Sequence, residues 1–383
     1  MKIYDTKARK IVEFTPRNKE VNIYVCGITP YDSAHLGHIF TFLLYDILQR
    51  RLENLGHEVK IIRNITDIDE PIFVKAREIN EDYEVLAKRE TANFVNIMKM
   101  LNFRDTFAEP LASEYIGEMA DAVQQLLDNN QAYRLGKDVY FDVKTSPKFG
   151  EISQYADKLK LTFMAERGGD PGRPDKRNPL DFLLWRGVDD PNDRAAWESS
   201  VGYGRPGWHI ECSVMSSMLV DLPLDIHGGG MDLIFPHHDC ELVQSESLFG
   251  RPLSLNWLHV APLLLGGEKM SKSIGNLVFA SDLLKDGSPA ALRLSLMQYS
   301  YGIGGEWRDD IWQESNILVK DIQEILNLRR KDNPTGLMDR VCSALDDNLD
   351  MPLVVDEIKQ HVKAQGNSDE LCDSLNLLGV PIP

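Results

Sequence analysis

The stretch from Val21 to Ile62 restricts the fold more than any other part of the chain. Val21 to Cys26 alternates and then becomes wholly apolar, the pattern of a buried strand. Gly27 to Gly37 is turn-rich. Ile39, Phe40, Leu43, Leu44, Ile47, Leu48, Leu52 and Leu55 then recur at helical spacing, and Gly56 stands where a helix C-cap belongs. Val59 to Ile62 reads as a second buried strand. Strand, helix and strand at this spacing make a βαβ unit, and such units build a parallel sheet with helices on its faces.

The rest of the chain fills in around that sheet. Tyr83 to Asn130 is helical in pattern. Residues 138–208 are richer in Gly, Pro, Asp and Arg, with a short strand at Val139 to Val143, and look like an insertion between two halves of the sheet. Leu222 to His227 is a strand running into Gly228-Gly229-Gly230. A helix is expected from His237 to Leu248, stopped by Gly250, and Leu258 to Leu265 is the last strand. Beyond Ala280 the chain reads as helices to its end. The division expected is 1–137 and 205–280 as two halves of a catalytic core, 138–204 as a connective insertion, and 281–383 as a helical domain.

Composition narrows the function. A net charge of −17 sets a repulsive average field against a phosphate backbone, so broad nucleic-acid binding is not expected. Five scattered cysteines, an odd number, occur with no apolar run at the N-terminus and no stretch of membrane-spanning length. The expectation is a cytoplasmic protein with free or metal-bound thiols and no membrane partner.

Four residues form a candidate metal set. Cys26 ends the first strand, Cys212 follows the turn Arg205-Pro206-Gly207-Trp208, and His237 and Glu241 stand four apart on one helix face. Two thiolates, an imidazole and a carboxylate suit Zn²⁺, although the spacing alone equally suits two core cysteines and a helix-start pair. Cys240 is read as packing, and Cys342 and Cys372 as core thiols of the helical tail.

Two further motifs handle nucleotides. His35-Leu36-Gly37-His38 enters a helix, where free N–H groups meet phosphate and histidines can donate to developing charge. Lys269-Met270-Ser271-Lys272-Ser273 lies in a glycine-flanked loop suited to holding pyrophosphate. His227-Gly228-Gly229-Gly230, with Asp232 beyond, lets a base or ribose approach bare backbone.

Taken together, these motifs resemble the paired signature of class I aminoacyl-tRNA synthetases. Asn64-Ile65-Thr66-Asp67-Ile68-Asp69, Pro206-Gly207-Trp208-His209-Ile210-Glu211-Cys212-Ser213 and Phe235-Pro236-His237-His238 resemble the cysteine-specific branch. The resemblance implies an α/β fold, a Rossmann (HUP-like) parallel sheet with an insertion and a C-terminal α-helical bundle. It implies an enzyme that activates L-cysteine with Mg²⁺·ATP. One Zn²⁺ per chain is expected on Cys26, Cys212 and His237, with Glu241 as fourth ligand. His35, His38, Lys269 and Lys272 would be catalytic. Gly27, Ile28, Thr29, Thr41, Asn64, Ile65, Thr66, Trp208, Gly230, Met231, Asp232 and Leu263 would hold the substrate and adenylate.

The acceptor is read from two departures. Only 110 residues follow Ser273, and from residue 291 onward 16 acidic residues face 9 basic ones, unlike an anticodon reader. Cys26-Gly27-Ile28-Thr29-Pro30-Tyr31-Asp32 and Glu166-Arg167-Gly168-Gly169-Asp170-Pro171 resemble the mycothiol-pathway cysteine ligases, which join cysteine to the amine of glucosaminyl-inositol. Glu166 to Pro171 faces that acceptor, closes over the site, or is a plain surface loop, which its composition equally suits. Glu241 and the stretch Lys176 to Phe182 resemble the tRNA enzyme instead, so a short cysteinyl-tRNA synthetase is the alternative. The resemblance implies an amino-sugar partner, no nucleic acid, and a monomer.

Overall fold

The computed structural model describes residues 1–270, 275–330 and 335–381. Its central sheet has four parallel strands, in the order Ser254–Val260, Leu224–Gly230, Glu20–Ile28, Glu58–Ile65. The chain winds outward in one direction from Glu20–Ile28 and later in the other from Leu224–Gly230. The crevice beyond the carboxyl ends of these two neighbours is therefore the topological switch point. Helix Leu36–Asn54 connects the first pair of strands, and its predicted apolar positions from Ile39 to Leu52 are buried. The chain turns at Gly56 with φ +91°.

A second, antiparallel sheet carries Ala132–Leu135, Asp138–Phe141, Phe182–Gly187 and Gly204–Pro206 in sequential order. It shares a core with helices Ile116–Asp128 and Trp208–Leu219, so the insertion is packed onto the catalytic half.

Four local expectations are corrected. The helix read from His237 begins as one wide turn, Ile234–His238, interrupted by extended Phe235 (φ −140°, ψ 134°), and continues as Asp239–Phe249. The strand read as Leu258–Leu265 is two: Ser254–Val260 in the parallel sheet, and Leu263–Leu265 between Glu268–Lys269 and Gly305–Glu306. Pro262, with no N–H to give a ladder, separates them. Gly305–Glu306 also corrects the all-helical reading of the tail. Cys342 and Cys372 are partly exposed rather than core thiols. Helix Leu337–Asp346 buries Leu337, Val341, Ala344 and Leu345, and Cys342, one step past Val341, turns off that face.

The tail is bound to the core by buried charge. Asp46, on the first helix, pairs with Arg50 at 2.9 Å and with Arg293, and accepts from Arg104 N at 2.7 Å. Arg293 also donates to Leu101 O at 3.0 Å and Leu378 O at 2.7 Å, and Arg50 donates to Asn102 O. Gly379 (φ +65°) lies so close over Arg50 that a Cβ there would stand 2.4 Å from Cζ. Among the described residues no helix is long and apolar enough to cross a membrane.

Asp46→Ala leaves Arg50 and Arg293 buried without their anion, so it is expected to destabilise the protein by about 3–5 kcal/mol in urea unfolding, far more than loss of a surface pair.

Candidate functional site

The four proposed metal donors come together beyond the ends of the central strands. In Glu20–Ile28, the register against Glu58–Ile65 shifts between Val25 and Ile28. Cys26 and Gly27 thus leave the ladder, and Gly27 N donates to Asn64 Oδ1 at 2.9 Å instead. Cys212 sits in the first turns of Trp208–Leu219. His237 closes the wide turn, and Glu241 lies four residues on. The ligand atoms of Cys26, Cys212, His237 and Glu241 lie within 4.8 Å of one another, all buried. Cys26 Sγ stands 3.7 Å from both Cys212 Sγ and Glu241 Oε1, and His237 Nε2 is 2.7 Å from Glu241 Oε1.

Charge at this cluster is shared unequally. Burial pushes the Cys26 thiol well up, and the neighbouring Cys212 adds to the shift. Burial alone would raise Cys212 too, but the hydrogen bond from Cys26 and the charge on His237 bring it down to about 6. Burial depresses His237, yet Glu241 and Cys212 overcome this and lift it to about 10. Glu241 is held well below the carboxylate range despite its burial, because His227 and His237 flank it. Two thiols, an imidazole and a carboxylate converge here, the donor chemistry of a soft-cation site. His237 Nε2 is also buried without an aligned hydrogen bond. By these two tests the residues fit one divalent transition-metal ion.

A ring of histidines supports the donors, and reading the sequence alone missed it. His227 donates from Nδ1 to Tyr24 O at 2.9 Å, and its Nε2 meets Glu241 Oε2 at 2.7 Å. His238 Nε2 lies 3.4 Å from Cys26 Sγ; its Nδ1 is 2.7 Å from His259 Nε2, and His259 Nδ1 is 2.7 Å from Thr6 Oγ1. Cys26, His227, His238 and Glu241 form a second close grouping. His209 Nδ1 stands 3.0 Å from His237 Nδ1, and Trp208 stacks on His237 at 4.3 Å. Burial, with neighbouring imidazoles adding to it, holds His209 and His259 down near about 3.

Cys26 lines a cavity of about 1690 Å³, and Cys212, His237 and Glu241 lie buried beside it. Gly27, Ile28, Thr29, His35, His38, Thr41, Trp208, Gly230, Met231, Asp232, Leu263 and Lys269 all line it. His35 caps the first helix, its Nδ1 accepting from Gly37 N at 3.1 Å, and stacks on His38 at 3.8 Å. Lys269 is ion-paired with Asp232 at 2.9 Å. Lys272 lies outside the described residues. Asn64, Ile65 and Thr66 stand behind the lining. Asn64 and Thr66 brace it through hydrogen bonds, whereas Ile65 is packed in the strand.

Two glycine-bearing segments are placed by packing. A Cβ on Gly228 would meet Leu258 O at 2.0 Å and the Tyr45 hydroxyl at 2.1 Å, so this glycine serves the sheet rather than a nucleotide. Arg167 donates to Asp232 O at 2.5 Å and to Phe235 O, while Asp170 accepts from Tyr140 at 2.6 Å and Lys176 at 3.0 Å. Arg167 to Asp170 thereby wall the cavity and fasten the insertion to the turn that carries Asp232 and leads to His237.

Residues 13–315 match the family of tRNA synthetases class I (C) catalytic domain. The L-cysteine:1D-myo-inositol 2-amino-2-deoxy-alpha-D-glucopyranoside ligase of Thermobispora bispora is 39% identical, covering 96% of this chain and 91% of that protein. The enzymes of the same name from Saccharomonospora viridis (41%; 92% and 86% covered) and Rhodococcus erythropolis (38%; 100% and 95%) are similarly close. Among solved structures, the Agrobacterium radiobacter K84 agnB2 LeuRS in ternary complex with tRNA and LeuAMS superposes with TM-score 0.65 at 12% identity, covering 96% of this chain and 84% of that one. Mycobacterium tuberculosis methionyl-tRNA synthetase with methionyl-adenylate gives 0.56 at 15%, covering 94% and 82%. At these identities the structures share the fold alone.

A Cβ on Gly27 would stand 1.6 Å from Asn64 O. Gly27→Ala is therefore expected to force the two strand ends apart. Metal content measured on the purified variant should fall well below that of the unaltered protein, with a lowered melting temperature.

Proposed function

We propose, because this chain belongs to the family of L-cysteine:1D-myo-inositol 2-amino-2-deoxy-alpha-D-glucopyranoside ligases and its core is a class I (C) synthetase catalytic domain, that it activates L-cysteine with ATP and transfers it to the amine of glucosaminyl-inositol, a step of mycothiol biosynthesis. Pyrophosphate leaves in the first half-reaction and AMP in the second. The observation that carries this reading is a soft donor set, Cys26, Cys212, His237 and Glu241, which meets through Cys26 the cavity that His35, His38, Asp232 and Lys269 also line.

Cys26, Cys212 and His237, with Glu241 as fourth donor, would hold one Zn²⁺ per chain, which would supply a soft anchor for the thiolate of the incoming amino acid. Trp208 and Thr29 enclose the side chain and exclude water. Thr41, Gly230, Asp232 and Leu263 hold the nucleoside. The cysteine carboxylate attacks the α-phosphorus of Mg²⁺·ATP, and His35 and His38 donate to the phosphoryl oxygens as charge builds there. Lys269, together with Lys272, neutralises the departing pyrophosphate, for which Lys269 must leave Asp232. The acceptor amine then attacks the acyl carbon and AMP departs. Preorganised charge and positioning supply the rate, since little covalent work falls to the protein.

A small amine is favoured over tRNA by the field of the molecule. The acidic tail helices repel a phosphate backbone, whereas an amino-sugar carries no phosphate.

Two outcomes are expected. AMP release by the purified protein rises with glucosaminyl-inositol and stays at background with tRNA; release with tRNA alone would overturn the acceptor. Elemental analysis finds one zinc per chain and a lower ratio in Cys212→Ser, and pyrophosphate exchange prefers cysteine to serine by roughly 10⁴-fold or more.

A further inference from the structure

The hairpin that carries Lys269 into the cavity is held from outside its own motif. Leu263–Leu265 turns through Gly266 and Gly267 and returns as Glu268–Lys269, which sets Leu264 opposite Lys269. Both turn residues have left-handed backbone, φ +69° and +79°. A Cβ would meet nothing within 4 Å at either, so the conformation and not the space calls for glycine. Such a turn presents two successive N–H groups, a concavity for an anion. Glu306 fills it: Gly266 N donates to Oε1 at 2.5 Å and Gly267 N to Oε2 at 3.1 Å. Glu306 belongs to Gly305–Glu306, which runs parallel to Leu263–Leu265, so Leu264 has Lys269 on one side and Glu306 on the other. The backbone around Glu306 is fixed in turn. Tyr299 Oη donates to Glu306 O at 3.0 Å, Trp307 N donates to Leu264 O at 2.8 Å, and both aromatic rings are buried. Among the described residues no lysine or arginine is ion-paired with Glu306; both its oxygens serve the turn. Past the undescribed residues, Asn276 Nδ2 donates to Leu265 O at 3.1 Å and Lys269 O at 3.3 Å, closing the other end of the hairpin.

We propose that Glu306 is a positioning residue for the pyrophosphate half-reaction: by gripping both N–H groups of the Gly266-Gly267 turn, it fixes the direction in which Lys269 enters the cavity. The inference rests on the reading of Lys269 as a holder of pyrophosphate and adds what aims it. Glu268–Lys269 is a strand of two residues, too short to keep its direction through ladder bonds alone. Lys269 must also exchange Asp232, 2.9 Å away, for a polyphosphate, and its ammonium reaches the new partner only if the backbone stays in place while the side chain swings. A carboxylate bound to two backbone N–H groups supplies that fixed base, because charge-assisted hydrogen bonds are the strong ones. Glu306 is not among the residues that line the cavity, so it acts on the reaction through Lys269.

The test separates the two half-reactions in the full chain. In Glu306→Ala, cysteine-dependent pyrophosphate exchange slows about 10- to 100-fold at saturating cysteine, and the KM for pyrophosphate rises. The KM for L-cysteine stays within about twofold of the unaltered protein. Transfer from enzyme-bound cysteinyl-adenylate to glucosaminyl-inositol, followed in a single turnover, also stays within about twofold, because pyrophosphate has left before the amine attacks. Glu306→Gln, which keeps one acceptor oxygen for the turn, recovers part of the exchange rate and carries the test should the alanine variant fold poorly. An equal loss in exchange and transfer, as a merely structural Glu306 would give, overturns the assignment, and so does an unchanged exchange rate. If the unaltered protein shows no cysteine-dependent exchange, it is the activity of the preceding section that falls.

Discussion

Glu241 is the group on which the interior of this protein turns. A carboxylate with no exposure is held between His227 and His237, one oxygen to each. Around it the thiol of Cys26, the low-lying thiol of Cys212 and the raised imidazole of His237 are adjusted against one another. None of these groups would be stable alone at such depth, because each needs a partner to offset its desolvation. The elements that bring them together are those of the sheet: a strand that loses register at Cys26, a helix started at Trp208, and a turn that ends at His237.

Much of this could be read from the sequence because its signals are local. The βαβ unit announced itself through helical and strand periodicity, and the motifs at His35, Trp208 and Lys269 through short runs of distinctive residues. The family likeness then placed the metal donors, whose own spacing was uninformative. The supporting histidines were not legible in this way. His259 lies in a strand where it reads as an ordinary polar interruption, and only the parallel pairing of Ser254–Val260 with Leu224–Gly230 sets it beside His238. The start of the helix before Glu241 was misplaced because extended Phe235 interrupts a turn that no periodicity marks. The split after Val260 did have a signal, since Pro262 stands in the middle of the apolar run.

The wall formed by Arg167 to Asp170 was the least legible part. Arg167 acts through two backbone carbonyls, which carry no residue identity. Such features depend on geometry from elements far apart in the chain, and sequence pattern cannot supply it.

The buried charges at Asp46, Arg50 and Arg293 bear on how the molecule can be divided. The acceptors that complete their hydrogen bonding include the carbonyl of Leu378, and the backbone at Gly379 lies directly over Arg50. The chain just past the last helix, Ser368–Leu377, therefore contributes atoms to the buried surroundings of the first. A shortened form ending before residue 377 would leave a guanidinium facing an empty acceptor position under the first helix. The synthetase-like half is for this reason not a separable module, and attempts to isolate it by trimming the tail would yield an incomplete core rather than a smaller enzyme.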